Sequence, residues 1–213
     1  MKYFDVLPKI VYNNTFTNGS VVLTNLMARA SLLPSLLNNP VVYYEYDIQE
    51  GDTPETIAFK YYNDVYRYWI ILYANQIMDP QWTWPLTYSQ FNAYMQDKYN
   101  YPYNDPNNPN TPVNYYVAIH EYQQITTQFD YNTQTTTVET ISIDEDTYNA
   151  LPVTQQNTYS LPSGLVKVTV TKNAQTIYDY EQQQNEAKRN IKILNATYAN
   201  EIESEFKKLM GRK

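Results

Sequence analysis

The chain has 213 residues, of which 43% are hydrophobic, 24 are tyrosine and none is cysteine, and its net charge is −7. That length accommodates one large domain or two small ones, and the missing cysteines exclude disulfides and thiolate metal sites. The negative charge argues against a duplex nucleic-acid binder, which needs clustered Lys and Arg, and no apolar run reaches the ~20 residues of a membrane span.

No signal-like apolar run follows Met1-Lys2, so a protein made in the cytoplasm is expected. Tyrosine joins an apolar ring to a hydroxyl, which suits either an aromatic-rich core or a surface buried against another protein. Charge is uneven: residues 186–213 hold seven Lys/Arg against four Asp/Glu, leaving the rest of the chain at −10.

Residues 1–40 open with the irregular piece "KYFDVLPKIVYNNTFTNGS". A short helical segment follows, capped by Asn25, with Leu26, Ala30, Leu33 and Leu37 on one face and a kink at Pro34. In "PVVYYEYDIQEG" the alternation of Val42, Tyr44, Tyr46 and Ile48 predicts a strand. Gly51 ends it where the backbone must turn. Thr53 is the expected N-cap of the next helix, with Pro54 at its first position and Glu55 at the positive end of its dipole. Ile57, Ala58 and Tyr61 should face inward. Asn63-Asp64 breaks this helix and caps a second, in which Trp69, Leu72 and Tyr73 pack and which stops at Asn75 in a left-handed turn.

Pro80 and Pro85 bracket an aromatic loop with Trp82 and Trp84. A third helix is expected from a Thr87 cap through Phe91, Tyr94 and Met95. The Pro/Asn-rich stretch over 100–112 reads as an exposed loop. Residues 113–177 read as β-rich, with a hairpin turning near Asp130-Tyr131-Asn132, one acidic helical turn at "DEDTYNALP", and a further strand. A single long helix is expected within 178–213, because Ala187, Ile191, Leu194, Tyr198, Ile202, Phe206 and Leu209 recur at spacings of three and four. That stripe can pack on its own body or dock on a partner.

Strand, "EGDT", helix, and a helix ending in Asn within about thirty residues resemble a LysM domain, on the residues Ile48, Glu50, Gly51, Asp52, Thr53, Ile57, Ala58, Tyr61, Leu72 and Asn75. The resemblance implies a βααβ fold whose usual ligand is the N-acetylglucosamine backbone of peptidoglycan or chitin. The closing strand of that fold has no counterpart in "WTWPLTYSQFNAYMQ", which reads as loop and helix. More of the chain is similar to the LysM-like baseplate wedge proteins of contractile-tailed bacteriophages. "YWIILYAN", the following Asp-Pro and aromatic residues, and the Tyr-Ser-Gln run carry this likeness over 43–99, and the C-terminal "YEQQQNEAKRNIKILNATY" extends it in arrangement.

The resemblance implies an α+β fold with an N-terminal arm with a short helix over 1–40, a LysM-like βαα core with an added helix over 41–99, and then the loop, β-rich region and C-terminal helix already described. It also implies a structural role in the virion's tail baseplate, assembled in the host cytoplasm. The expected partners are other wedge and hub proteins and the neighbouring wedges, with no nucleic acid, membrane or cofactor. Trp82, Trp84, Ile191, Leu194, Tyr198, Ile202 and Phe206 are the candidate interface.

Catalysis finds little support. His120 is the only histidine and stands on an expected strand without a nucleophile-elbow motif. Asp144, Glu145 and Asp146 are adjacent and read as a solvated helix start rather than a glycosidase pair. No phosphate-binding glycine loop or Ca²⁺ loop is present. Three functions are in competition: a baseplate subunit, a peptidoglycan-binding LysM module of a tail or cell-wall protein, and a wall hydrolase. The tyrosine content and the long C-terminal stripe favour the first.

Overall fold

The computed structural model describes residues 2–14, 19–28, 30, 39–99, 113–162 and 164–211. The helix expected from Asn25 past Pro34 lies mostly, and the Pro/Asn-rich loop over 100–112 entirely, outside them. Helices and strands are mixed, as expected of an α+β protein. The chain divides into two compact units, Met1–Tyr88 with Glu186–Lys213, and Ser89–Asn185.

The first unit begins with helix α1 (Tyr3–Val6) and a hairpin of β1 (Lys9–Asn14) and β2 (Gly19–Thr24). Strand β3 (Tyr43–Asp47) leads into α2 (Pro54–Tyr62), a 3-10 turn (Val65–Arg67), α3 (Tyr68–Ala74) and the short α4 (Pro80–Thr83). From the end of the chain come β8 (Asn190–Leu194) and α8 (Ala196–Leu209). Strands β3 and β8 pair antiparallel from Tyr43↔Leu194 to Asp47↔Asn190, so the partner of β3 is far away in sequence.

One hydrophobic cluster joins these pieces. Ile57 and Ala58 of α2, Ile70 and Ile71 of α3, and Ile193 of β8 are fully buried, and Val42, Ile48, Ile191 and Leu194 close the sheet side. Phe206 of α8 lies 4.8 Å from the Trp69 ring and 5.3 Å from that of Tyr3. Tyr62 sends its hydroxyl to the main-chain oxygen of Leu194 at 2.9 Å, and burial raises its pKa.

The capping chemistry matches its sequence signals. Thr53 accepts from Thr56 N while the Thr56 hydroxyl accepts from Thr53 N, a reciprocal capping box with Pro54 in the first turn. Asn63 ends α2 in the left-handed region at φ 51°, and Asp64 caps the next turn. Asn75, however, has φ −101°, and the left-handed residue is its neighbour Gln76 at φ 56°. The strand alternation holds at Val42 and Ile48, which are buried, and at Tyr46, which is partly buried against the core, while Tyr44 is exposed and accepts from Asn195 Nδ2.

The single helix expected within 178–213 is instead three elements: α7 (Ile177–Glu186), β8 and α8. The reason is local and tertiary together. β-Branched Ile191 and Ile193 alternate in a way that suits a strand beside β3, and the Asn195 side chain accepts from Thr197 N to start α8 afresh. Leu209, assigned to the inward stripe, is exposed, and Met210 is buried in its place.

The second unit takes in most of α5 (Tyr88–Tyr99), then β4 (Ile119–Asp130), β5 (Thr135–Ile143), α6 (Glu145–Ala150), β6 (Thr154–Leu161), β7 (Gly164–Thr176) and α7 up to Asn185. Its four strands run antiparallel in the order β5-β4-β7-β6. The predicted turn is present, with Asp130 Oδ1 accepting from Asn132 N and Thr133 N. Strand β6, "TQQNTYSL", carries no apolar alternation and had no signal of its own; its ladder with β7 defines it. Among the described residues of these strands only Gln175 is buried, and among those of the whole unit the buried apolar side chains are Phe91 and Met95 of α5.

Candidate interaction surfaces

The loop between β3 and α2 is a knot of polar contacts within the first unit. Gly51 takes φ +82°, and no atom within 4 Å would meet an added Cβ, so the requirement is conformational rather than steric. Asp52 Oδ2 accepts from Gln49 N at 3.0 Å and from the Tyr46 hydroxyl at 2.6 Å. Burial and that hydrogen bond raise the Tyr46 pKa, while Lys60 opposes them.

The same loop holds segments from two distant parts of the chain. Trp84 donates its indole N–H to Asp52 O at 2.9 Å, and Tyr88 N donates to Glu50 Oε1 at 2.7 Å. From the returning chain, Arg189 reaches Glu50 Oε2 at 3.5 Å, Glu186 Oε2 at 2.7 Å and Ile48 O at 3.1 Å, while Lys188 donates to Trp82 O. Glu186 is the main cause of the raised Arg189 pKa. An open depression of about 440 Å³ lies here, lined by Asp47, Ile48, Gln49, Glu50, Glu186 and Arg189.

Asn75 closes the sheet from its other side. Its Nδ2 donates to Lys192 O and to Ile71 O, both at 2.8 Å, and its Oδ1 accepts from Lys192 N at 2.7 Å. The amide thus offers β8 the donor and acceptor that a third strand would supply.

The aromatic and stripe residues predicted as an interface are not brought together as one surface. Ile191, Leu194 and Phe206 lie in the core of the first unit, so they are withdrawn as interface residues: the long-range pairing with β3 and the packing on Trp69 consume them. Tyr198, Ile202 and Trp84 are partly buried against the same core. Trp82 alone among the seven is openly exposed, at 68%.

The exposed apolar surface missed by sequence reasoning is the hairpin of β1 and β2. Its cross-strand pairs Ile10↔Leu23, Val11↔Val22 and Tyr12↔Val21 leave all six side chains 43–67% exposed. The available signal was Asn18-Gly19 before a β-branched run, with "KIVY" on the other side.

The titratable groups outside the loop have local explanations. Asp144 caps α6, accepting from Thr147 N at 2.8 Å, and that hydrogen bond leads the lowering of its pKa. His120 is exposed and stacks on Tyr180 with ring centroids 3.8 Å apart. In the second unit, the buried Glu181 carboxylate accepts from Lys98 Nζ at 2.6 Å, Tyr99 OH at 2.7 Å and Tyr94 OH at 3.1 Å. Burial opposes its charge, but Lys98 and the two tyrosines outweigh that and hold its pKa below the ordinary value. Burial and Glu181 push the Tyr99 hydroxyl up to about 12.

Among the described residues no cluster of three His, Asp or Glu could hold a metal ion, and no helix is long and apolar enough to cross a membrane. The chain matches no protein-family model and no curated protein.

Proposed function

We propose that the chain is a structural, non-catalytic subunit of a contractile-tail baseplate wedge, built on a LysM-like core and joining neighbouring wedge and hub proteins. The observation that carries this reading is the order β3, α2, α3, β8, with β3 and β8 antiparallel and "EGDT" at the first strand-to-helix turn. A LysM-like core has that order. The closing strand is supplied after residues 75–189 rather than directly after the second helix, which is why no such strand could be read there.

Two further features fit a scaffold. The loop acceptors Glu50 and Asp52 O serve Tyr88, Trp84 and Arg189 of the same chain. Among the described residues, Gln175 is the one buried side chain of the second unit's sheet, and a sheet surface so incompletely covered suits burial against another protein. Apolar burial at ~25 cal/mol per Å² then drives assembly, and repeated contacts around a ring add avidity.

The test is co-expression with the other tail proteins of the same virus, followed by co-purification of a wedge complex. Its failure, together with saturable calorimetric binding of N-acetylglucosamine oligomers, would favour the alternative of a peptidoglycan-binding module.

A further inference from the structure

The hairpin of β1 and β2 carries apolar side chains on both faces, and among the described residues neither of its edges is paired with a further strand. A two-stranded hairpin by itself is marginally stable in water. Native edge strands are blunted by charge, proline or a bulge. Strand β2, "GSVVLT", has none of these: it is uncharged, lacks proline and pairs with β1 over six positions without a register shift. The other edge of the hairpin starts at Lys9, whose Nζ donates to Thr24 Oγ1 at 2.7 Å.

Charge favours this edge for contact between identical chains. Met1–Tyr88 with Glu186–Lys213 hold twelve Lys/Arg and twelve Asp/Glu. The whole net charge of −7 therefore falls in Ser89–Asn185, with three against ten. Two copies meeting through β5, which contains Glu139, would bring like-charged units together, whereas two copies meeting through β2 would not.

We propose that β2 is a self-association edge, on which a second copy of the chain lays its own β2 antiparallel about a two-fold axis. The face-preserving register sets Val22 opposite Val22 of the partner subunit and Val21 opposite Leu23 of the partner subunit. Ile10, Tyr12, Val21 and Leu23 then share one face with their symmetry mates, and Val11 and Val22 share the other. A one-residue slip would mix the faces. The contact is isologous, so it closes at a dimer and leaves the rest of each chain available.

Sedimentation equilibrium of the full chain tests it, with a reversible monomer–dimer equilibrium expected. Val22→Lys places two ammonium groups opposite each other at the axis and should weaken dimerisation by about tenfold or more. Val22→Thr, neutral and β-branched, should retain it. Val22 is 66% exposed, so unchanged tryptophan fluorescence should show that the lysine variant still folds.

The chain has no cysteine, so Val22→Cys introduces a single thiol that mild oxidation should convert to a disulfide-linked dimer. Val11→Cys, one strand further from the axis, should not cross-link. A chain that stays monomeric at every concentration overturns the proposal, and its hairpin is then left for a different protein. So does a dimer indifferent to Val22→Lys, or equal cross-linking at the two cysteine positions.

Discussion

Asn75→Ala should be among the most damaging substitutions of a polar side chain in the first unit. The change removes both hydrogen bonds to the main chain of Lys192, at 2.8 and 2.7 Å, and the one to Ile71 O at 2.8 Å. Each ordinary hydrogen bond contributes about 1 kcal/mol net, and stripping a partner from a partly buried backbone group adds desolvation cost, so a loss of about 2–4 kcal/mol follows. Trp69, Trp82 and Trp84 all lie in Met1–Tyr88, so tryptophan fluorescence during urea unfolding reports the first unit alone. Asn75→Asp keeps an acceptor for Lys192 N but sets a carboxylate oxygen against the carbonyl oxygens of Lys192 and Ile71, so its cost should be at least that of alanine. If Asn75→Ala costs less than about 0.5 kcal/mol, within the range of ordinary surface changes, the amide is not a surrogate strand for β8 and the argument fails.

Three other outcomes are expected. Gly51→Val should cost about 1–3 kcal/mol through backbone strain alone, and Thr53→Ala about 1 kcal/mol through loss of the cap, both read from the same urea curves; wild-type midpoints for both would remove this account of the loop. Because the folded pKa of Glu181 is lowered, its contribution to stability is present above the ordinary value of 4.5 and is lost as pH falls through the folded pKa. Acid titration of the second unit by circular dichroism should show that loss, and Glu181→Gln should flatten it. Deleting Glu186–Lys213 removes Ile191, Ile193, Leu194 and Phe206 from the core, so the first unit should unfold and the tryptophan emission shift to the red; an unchanged spectrum would mean that β8 and α8 are dispensable.

What the sequence determined by itself was local. The turn at Gly51, the Thr53 cap, the break at Asn63-Asp64 and the hairpin turn at Asp130 depend on contacts within a few residues, and each residue involved carries its own conformational preference. The two central helices followed in the same way, since Ile57, Ala58 and Tyr61 of the first and Trp69, Leu72 and Tyr73 of the second fall at helical spacing.

Tertiary structure decided the rest. Residues 187–210 satisfy a helical period, yet Ile191, Ile193 and Leu194 form a strand because β3 offers them a ladder and a buried face more than 140 residues away in sequence. That pairing gives β3 a partner that no neighbouring segment supplies, and it takes Ile191 and Leu194 out of the surface expected to form an interface. Strand β6 likewise exists through the ladder that β7 provides. A strand satisfies only half of its hydrogen bonds with any one neighbour and none within itself, so its identity rests on a partner that a local reading does not contain.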